Sequence, residues 1–362
     1  MTDLPTSAPP GLPGAVLPPM TPPGGSSSEP ARPKRQGLTS RLLDKLIPSV
    51  LLLSLVLNLY LGFILYSQTQ GPRESTYTEG DARQRIVILP IKGLVDDSMY
   101  QFMRQALQRL EKELPKAIIL RVDSGGGYVG PSDRIWNELS QFKKEHPNIP
   151  IIASFASTAA SGAYYIAAAS DVIVMEPTGL TGSIGVIAQA FTMSGLMSKI
   201  GVTPETITST DSVDKDELNP FRDWTDGDRQ LLTSILNNAY KQFVDVVYAG
   251  RKQIDYGGQR YGLTREEVAG LATGAVFTAV EAKQNKLVDE IGYLHDAIEI
   301  AMERAQIATD PRVSIMKASR GMSLSGMLQG SVPEISSPTS QQIRSWLMEL
   351  STPELLYRVS VP

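Results

Sequence analysis

The sequence predicts an α/β domain built on a buried parallel sheet, preceded by one membrane-spanning helix. Three observations carry this expectation. Between residues 85 and 177, short β-branched runs that are apolar on both faces alternate with stretches of helical spacing. Small-residue or glycine turns stand where strands give way to helices. Upstream of both lies a charge-free stretch from Ile47, "IPSVLLLSLVLNLYLGFILYS". At about 20 residues and ~1.5 Å per residue, it matches a ~30 Å hydrocarbon core.

Taken in order, residues 1–33 hold ten of the 25 prolines, so residues 1–46 are expected to be a disordered tail. The span 47–66 has one strongly polar member, Asn58, and no Ala-x-Ala-like site follows it, so it is expected to be an anchor and not a cleaved leader. Arg32, Lys34, Arg35, Arg41 and Lys45 precede the span, and Arg73 is the first basic residue after it. The positive-inside rule then places the N-terminus in the cytoplasm and the following domain outside, on the cell membrane. A polar linker is expected over 67–84. Strands follow at "RIVILPIKG" (85–93), "KAIILRVD" (116–123), "IPIIASFAS" (149–157) and "DVIVMEP" (171–177). Helices are expected over 97–113, 131–145 and 160–169. Residues 226–251 should form an amphipathic helix with Leu232, Leu236, Ala239, Tyr240, Phe243, Val244 and Val247 on one side. The domain runs over 85–317, and 318–362, rich in Ser, Pro and Gly, is expected to be a low-order tail.

Composition narrows the chemistry. The 362 residues carry a net charge of −4. Residues 1–46 hold five Lys/Arg against three Asp/Glu, a balance of +2, which leaves −6 for residues 67–362. An acidic domain without a basic stripe argues against nucleic acid. With no Cys and only two His, disulfides, thiolate chemistry and thiolate metal sites are excluded, and no metal or cofactor is expected.

One candidate nucleophile stands out in "STAASGAYYIAAASD" (157–171), where Ser161 follows a strand and opens a helix. Ser in that place can act simply as a helix cap. Ala159, Ala160, Gly162 and Ala163 also clear space on every side of it, which capping does not require. The backbone N–H of Gly162 at the helix start can stabilise developing negative charge. "DSGGGYVG" (123–130) leaves the C-terminal end of the neighbouring strand, the edge where parallel sheets bind ligands. Gly126 or Gly127 there can supply a second oxyanion donor. The base is harder to find. His146 precedes a strand and should lie at the opposite edge, and His295 begins a polar helix near the domain's end. A Lys can serve if desolvated, but lowering its pKa from ~10.4 to ~7.5 costs about 4 kcal/mol.

"LRVDSGGG", "ASGAYYIAAASDVIVMEPTGLTGSIGV", "DKDELNPFRDWT" and "NKLVDEIG", in that order between about 85 and 305, together resemble the signal peptide peptidases of the A type. These are membrane-anchored Ser/Lys proteases with a Clp-protease/crotonase-like fold. The resemblance implies an endopeptidase of cleaved signal peptides and other apolar peptides, with Ser161 as nucleophile and Lys215 as general base. Ser183 is similar to a hydroxyl that helps orient the pair. This chain departs from the family at Asp123-Ser124-Gly125-Gly126-Gly127, where Asn-Ser-Pro-Gly-Gly is usual. Residues 208–229 are too polar to bury a Lys within one subunit, and half-length members of the resembled family form rings. A homo-oligomer whose Ser161 meets Lys215 of the adjacent chain is therefore expected. The alternatives are a stomatin-partner type of membrane Ser/Lys protease, a crotonase-type acyl-CoA enzyme and a non-catalytic anchored scaffold. The external location disfavours the acyl-CoA enzyme.

Overall fold

The computed structural model describes residues 38–69, 71–318 and 354–358. Its first helix, α1 (Leu38–Thr69), has side chains described from 46 to 62, nearly all of them exposed. Among the described residues, no helix is long and apolar enough to cross a membrane. Arg32, Lys34, Arg35 and most of the expected tail lie outside the described residues.

The main domain follows. Its strands begin with β1 (Arg73–Thr78), β2 (Asp81–Val95), β3 (Ala117–Tyr128), β4 (Ile151–Ala160), β5 (Val172–Met175), β6 (Leu180–Gly182) and β7 (Ile187–Gln189). After the hairpin β8 (Ile254–Tyr256) and β9 (Gln259–Tyr261) come β10 (Val276–Thr278), β11 (Glu290–Ile291), β12 (Pro311–Lys317) and β13 (Glu354–Arg358). The helices are α2 (Asp97–Leu110), α3 (Val129–Glu145), α4 (Gly162–Ala167), α5 (Ser194–Lys199), α6 (Asp226–Arg251), α7 (Arg265–Leu271), α8 (Ala279–Gln284) and α9 (Leu294–Arg304).

The sheet runs β1-β12-β2-β3-β4-β5-β11. All neighbours in that order are parallel except β1, which lies antiparallel on β12. It is the α/β class expected, and for the expected reason: Ile86–Leu89, Ala117–Leu120, Ile151–Ala153 and Val172–Met175 are buried on both faces. On one face Met103, Leu107, Ile135, Leu139, Tyr164 and Phe243 pack from α2, α3, α4 and α6. On the other, Ala297, Ile300 and Ala301 of α9 cover Ile86, Ile119 and Val172.

One stretch of this region differs from expectation. β1 lies inside the expected linker; as an edge strand with mostly exposed side chains it needs no apolar face. Its Glu74 takes a 2.6 Å bond from Arg85 Nη1 on β2. In α6 the expected apolar side is turned inward, with Ala239, Phe243, Val244 and Val247 buried and Leu232 and Leu236 half-buried. The C-terminal end of α6 is fixed by Arg251, whose Nη1 and Nη2 donate to Asp289 at 2.9 and 2.7 Å in a fully buried pair. Asp289 also accepts the N–H of Ile173 on β5 at 2.7 Å.

Within 318–362, β13 pairs antiparallel with β3 at Gly126–Tyr128 and with β7 at Ile187–Gln189. The segments 319–353 and 359–362 lie outside the described residues.

Candidate active site

β4 ends at Ala160 and α4 starts at Gly162, so Ser161 alone makes the turn. It does so at φ +55°, ψ −121°, a conformation that L side chains rarely adopt. Backbone bonds on both sides hold it there. The Ser161 N–H donates to Gly182 O at 2.8 Å, and its carbonyl accepts from Tyr165 N at 2.9 Å. Ala159 and Ala160 pair with Thr181 and Gly182 of β6, and Ala159 also pairs with Ser124 of β3. Thr181 Oγ1 donates to Ala159 O at 2.6 Å. Ser161 is 1% exposed, and its side chain makes no capping hydrogen bond, so helix capping does not account for a Ser here.

The glycine loop lies beside this turn. Ser124 Oγ donates to Gly93 O and accepts the N–H of Gly126 at 3.1 Å. Gly126 sits at φ +99°, the left-handed region that glycine occupies without a Cβ penalty. At Gly127 a Cβ would lie 2.2 Å from Val95 O, so only glycine lets β2 and β3 close together at their ends. Of the two amides expected to meet an oxyanion, that of Gly126 already has Ser124 as partner. Gly162 precedes the first intrahelical bond of α4, and no hydrogen bond among the described residues uses its N–H. Ser183, buried at φ +49°, directly follows Gly182 and donates its N–H to Ala275 O at 2.7 Å.

A cavity of about 530 Å³ opens at this edge, lined by Leu94, Ser124, Gly126, Ala160, Leu180 and Val276 among others. Leu94, Leu180 and Val276 are 47%, 44% and 40% exposed, an apolar rim beside the turn that carries Ser161. Such a rim suits apolar side chains of a ligand. β13 lies along Gly126–Tyr128, against one wall of this region.

Lys215 is on a single 3₁₀ turn, Val213–Asp216. It is exposed, and among the described residues its ammonium makes no ion pair and no bond to Ser161. Thus Ser161, Ser183, Gly126 and Gly162 share one sheet edge, while Lys215 is not joined to them within the chain. His146 ends α3 below the start of β4, its Nε2 3.0 Å from both Glu111 carboxylate oxygens. His295 is exposed beside Asp296.

A network that the sequence reading did not single out orders the Lys215 loop. Asp228, in the first turn of α6 and 1% exposed, takes bonds from Arg222 Nη1 (2.7 Å) and Nη2 (3.0 Å), Thr225 N (2.8 Å), Thr225 Oγ1 (2.7 Å) and Leu218 N (2.7 Å). Arg222 also donates from Nε to Asp216 Oδ2 and from Nη2 to Asp216 O, both at 2.6 Å. Asn219 Nδ2 completes the set on Asp216 Oδ1 at 2.6 Å. The Arg222 bonds, then those from Thr225, hold the Asp228 carboxyl far below its usual range. The Asn219 bond, then Arg222, lowers that of Asp216. The signal for Asp228 was present in the sequence: Thr225-x-x-Asp228 has the spacing of a reciprocal helix cap.

Fold and site define a serine hydrolase: a strained hydroxyl at the carboxyl edge of a parallel sheet, with amides and an apolar cavity beside it. Comparison with known proteins narrows the class. Residues 143–308 match the model of peptidase family S49, and residues 85–198 match that of the NfeD1b N-terminal domain. A protein of Enterococcus faecium described as a signal peptide peptidase SppA is 33% identical over 252 residues, 66% of this chain and 69% of that one. A protein of Synechocystis sp. described as protease slr0021 is 31% identical over 228 residues, 63% of this chain and 77% of that one. Among solved structures, a membrane-bound stomatin-specific protease covers 75% of this chain and 100% of its own, at TM-score 0.41 and 15% identity. The chain belongs to peptidase family S49 and is a serine peptidase.

Proposed function

We propose that this peptidase is a membrane-anchored endopeptidase of cleaved signal peptides and other apolar peptides, working through Ser161 and Lys215. The observation that carries the reading is Ser161 itself, strained at the strand-to-helix turn beside an apolar rim. In the proposed reaction, neutral Lys215 takes the Ser161 Oγ proton as that oxygen adds to the scissile carbonyl. The Gly162 N–H and an amide of the 125–127 loop stabilise the oxyanion, with Ser183 close to the turn. Lys215 then gives its proton to the departing amine, leaving an acyl-enzyme. Water, deprotonated by Lys215, adds to the ester, and as the tetrahedral species collapses to release the acid Lys215 returns that proton to Ser161 Oγ.

Supporting a shared site is the position of Lys215, exposed and unpaired in the single chain, because a Lys base must be desolvated. In this reading the protein is a homo-oligomeric ring in which Ser161 of one subunit meets Lys215 of the next. Ser161→Ala and Lys215→Ala variants, each inactive alone, are co-expressed to test it. Random mixing restores about a quarter of wild-type activity if the pair is shared. A pair within one chain restores none. Labelling of Ser161 by a fluorophosphonate separates the peptidase from a non-catalytic scaffold. The anchor reading rests on the charge-free span from Ile47 and the basic residues before it. Accessibility labelling from the cytoplasmic side should fail beyond residue 67, and a chain beginning at Gly71 should stay soluble and cleave apolar peptides.

A second reading, a stomatin-partner type of membrane protease, would share the Ser/Lys chemistry. Preference for an apolar stomatin-derived peptide over signal peptide remnants would select it.

A further inference from the structure

Lys215 stands among acids. Asp214 and Asp216 share its turn and Glu217 follows it; Asp211 and Asp223 lie on the flanking loop, and Asp226 and Asp228 come from the first turn of α6. Thr206, which accepts a bond from Asn219, is the neutral group contributed from the opposite side of the loop. A nearby carboxylate favours a charged Lys, and a charged Lys is no base. Asp214 and Glu217 are exposed and solvated. Asp216, the residue next to Lys215, is half-buried, and its two carboxylate oxygens and its carbonyl are occupied by Arg222 and Asn219. Arg222 is itself held by the buried carboxylate of Asp228. One guanidinium therefore fixes both the backbone and the side chain of the residue beside Lys215, and ties them to α6.

We infer that Arg222, backed by Asp228, is a positioning residue: it holds the Asp216 carboxylate in its own fork and leaves Lys215 unpaired to serve Ser161. The inference rests on the reading of Lys215 as general base. Its mechanical content is that without the fork Asp216 is free to pair with the neighbouring ammonium. A planar fork is needed, since one donor group must reach two carboxylates and a carbonyl at once.

The test is the pH profile of peptide cleavage by the full chain, for wild type, Arg222→Gln, Arg222→Lys, and Arg222→Gln combined with Asp216→Asn. Arg222→Gln should lower kcat about 10- to 100-fold with KM little changed, because the cavity is untouched. Its acidic limb should move up by about one pH unit, as Asp216 pairs with Lys215. Adding Asp216→Asn should return the limb to its wild-type position. A merely structural role would lower the melting temperature without moving the limb, and Asp216→Asn would not reverse the loss. An unmoved limb, or one that Asp216→Asn leaves displaced, overturns the inference. Should Arg222→Gln not fold, Arg222→Lys carries the test, because a single ammonium cannot span both carboxylates and the limb should move the same way. Lys215→Ala separates the two claims. If that variant stays active, the base assignment fails whatever Arg222 does; if it is inactive while the limb of Arg222→Gln stays put, only the role of Arg222 fails.

Discussion

The turn that carries Ser161 is buried and wired by backbone bonds, whereas the turn that carries Lys215 is exposed and wired by side chains. Around Ser161, three adjacent strands supply the restraints, and main-chain groups of Gly182 and Tyr165 take both sides of the residue. Around Lys215 the work falls to Arg222, Asn219, Thr225 and Asp228, four side chains outside the sheet. A backbone-built site is as stable as the domain and tolerates changes of surface residues. A site built from side chains can be lost by one substitution without unfolding anything else. The two halves of the proposed catalytic pair should therefore fail in different ways.

The sharpest break is chemical. Ser161→Ala and Lys215→Ala should each lower turnover by about 10⁴-fold or more, and the double variant should be no worse, because groups that act as a unit are not additive. Steady-state assays on matched preparations decide it; a further loss in the double variant would separate the two roles. Next comes the sheet side. Asp289→Ala strands the Arg251 guanidinium in the core and should cost about 3–5 kcal/mol in chemical denaturation, taking activity down with it. The Lys215 side should behave otherwise. Asp228→Asn weakens the cap of α6 and the Arg222 fork and should cost about 1–2 kcal/mol, with a larger fractional loss of activity than of stability.

The same carboxylate sets a pH dependence. Its folded pKa is depressed, chiefly by Arg222 and then by Thr225. Its stabilisation is therefore present above the ordinary carboxylate value of about 4 and lost as pH falls through the folded pKa. Melting curves on the acid side of pH 4 should show a slope that Asp228→Asn flattens. The smallest effect expected is that of changing His146 and His295 together, within about twofold in kcat/KM. A large loss there would mean that a histidine does the work given to Lys215.

The same contrast decides what could be read from the sequence. β2 to β5 were legible because burial on both faces imposes unbroken β-branched runs. The strand-to-helix turn at Ser161 was legible because close packing there demands small neighbours. β1 was not, since Arg73–Thr78 is an exposed edge strand whose polarity looks like a linker. Nor was β13, five residues whose pairing partners, β3 and β7, lie far away in the chain. Lys215 was reached only through a family resemblance. Its loop has no hydrophobic period, because side-chain bonds and not burial determine its shape. The stripe of α6 was legible from its helical period, and its residues are buried at Ala239, Phe243, Val244 and Val247 and half-buried at Leu232 and Leu236.

Ser161 has one more consequence. A φ of +55° is a place where glycine would rest easily and serine does not. The residue that the proposed chemistry requires is thus one the backbone would rather not have. Random drift towards a more stable fold and selection for peptide cleavage pull on this position in opposite directions. A copy of the gene released from its catalytic duty should relax here early, exchanging Ser161 for Gly. Ser161→Gly should accordingly melt above Ser161→Ala, although neither cleaves a peptide.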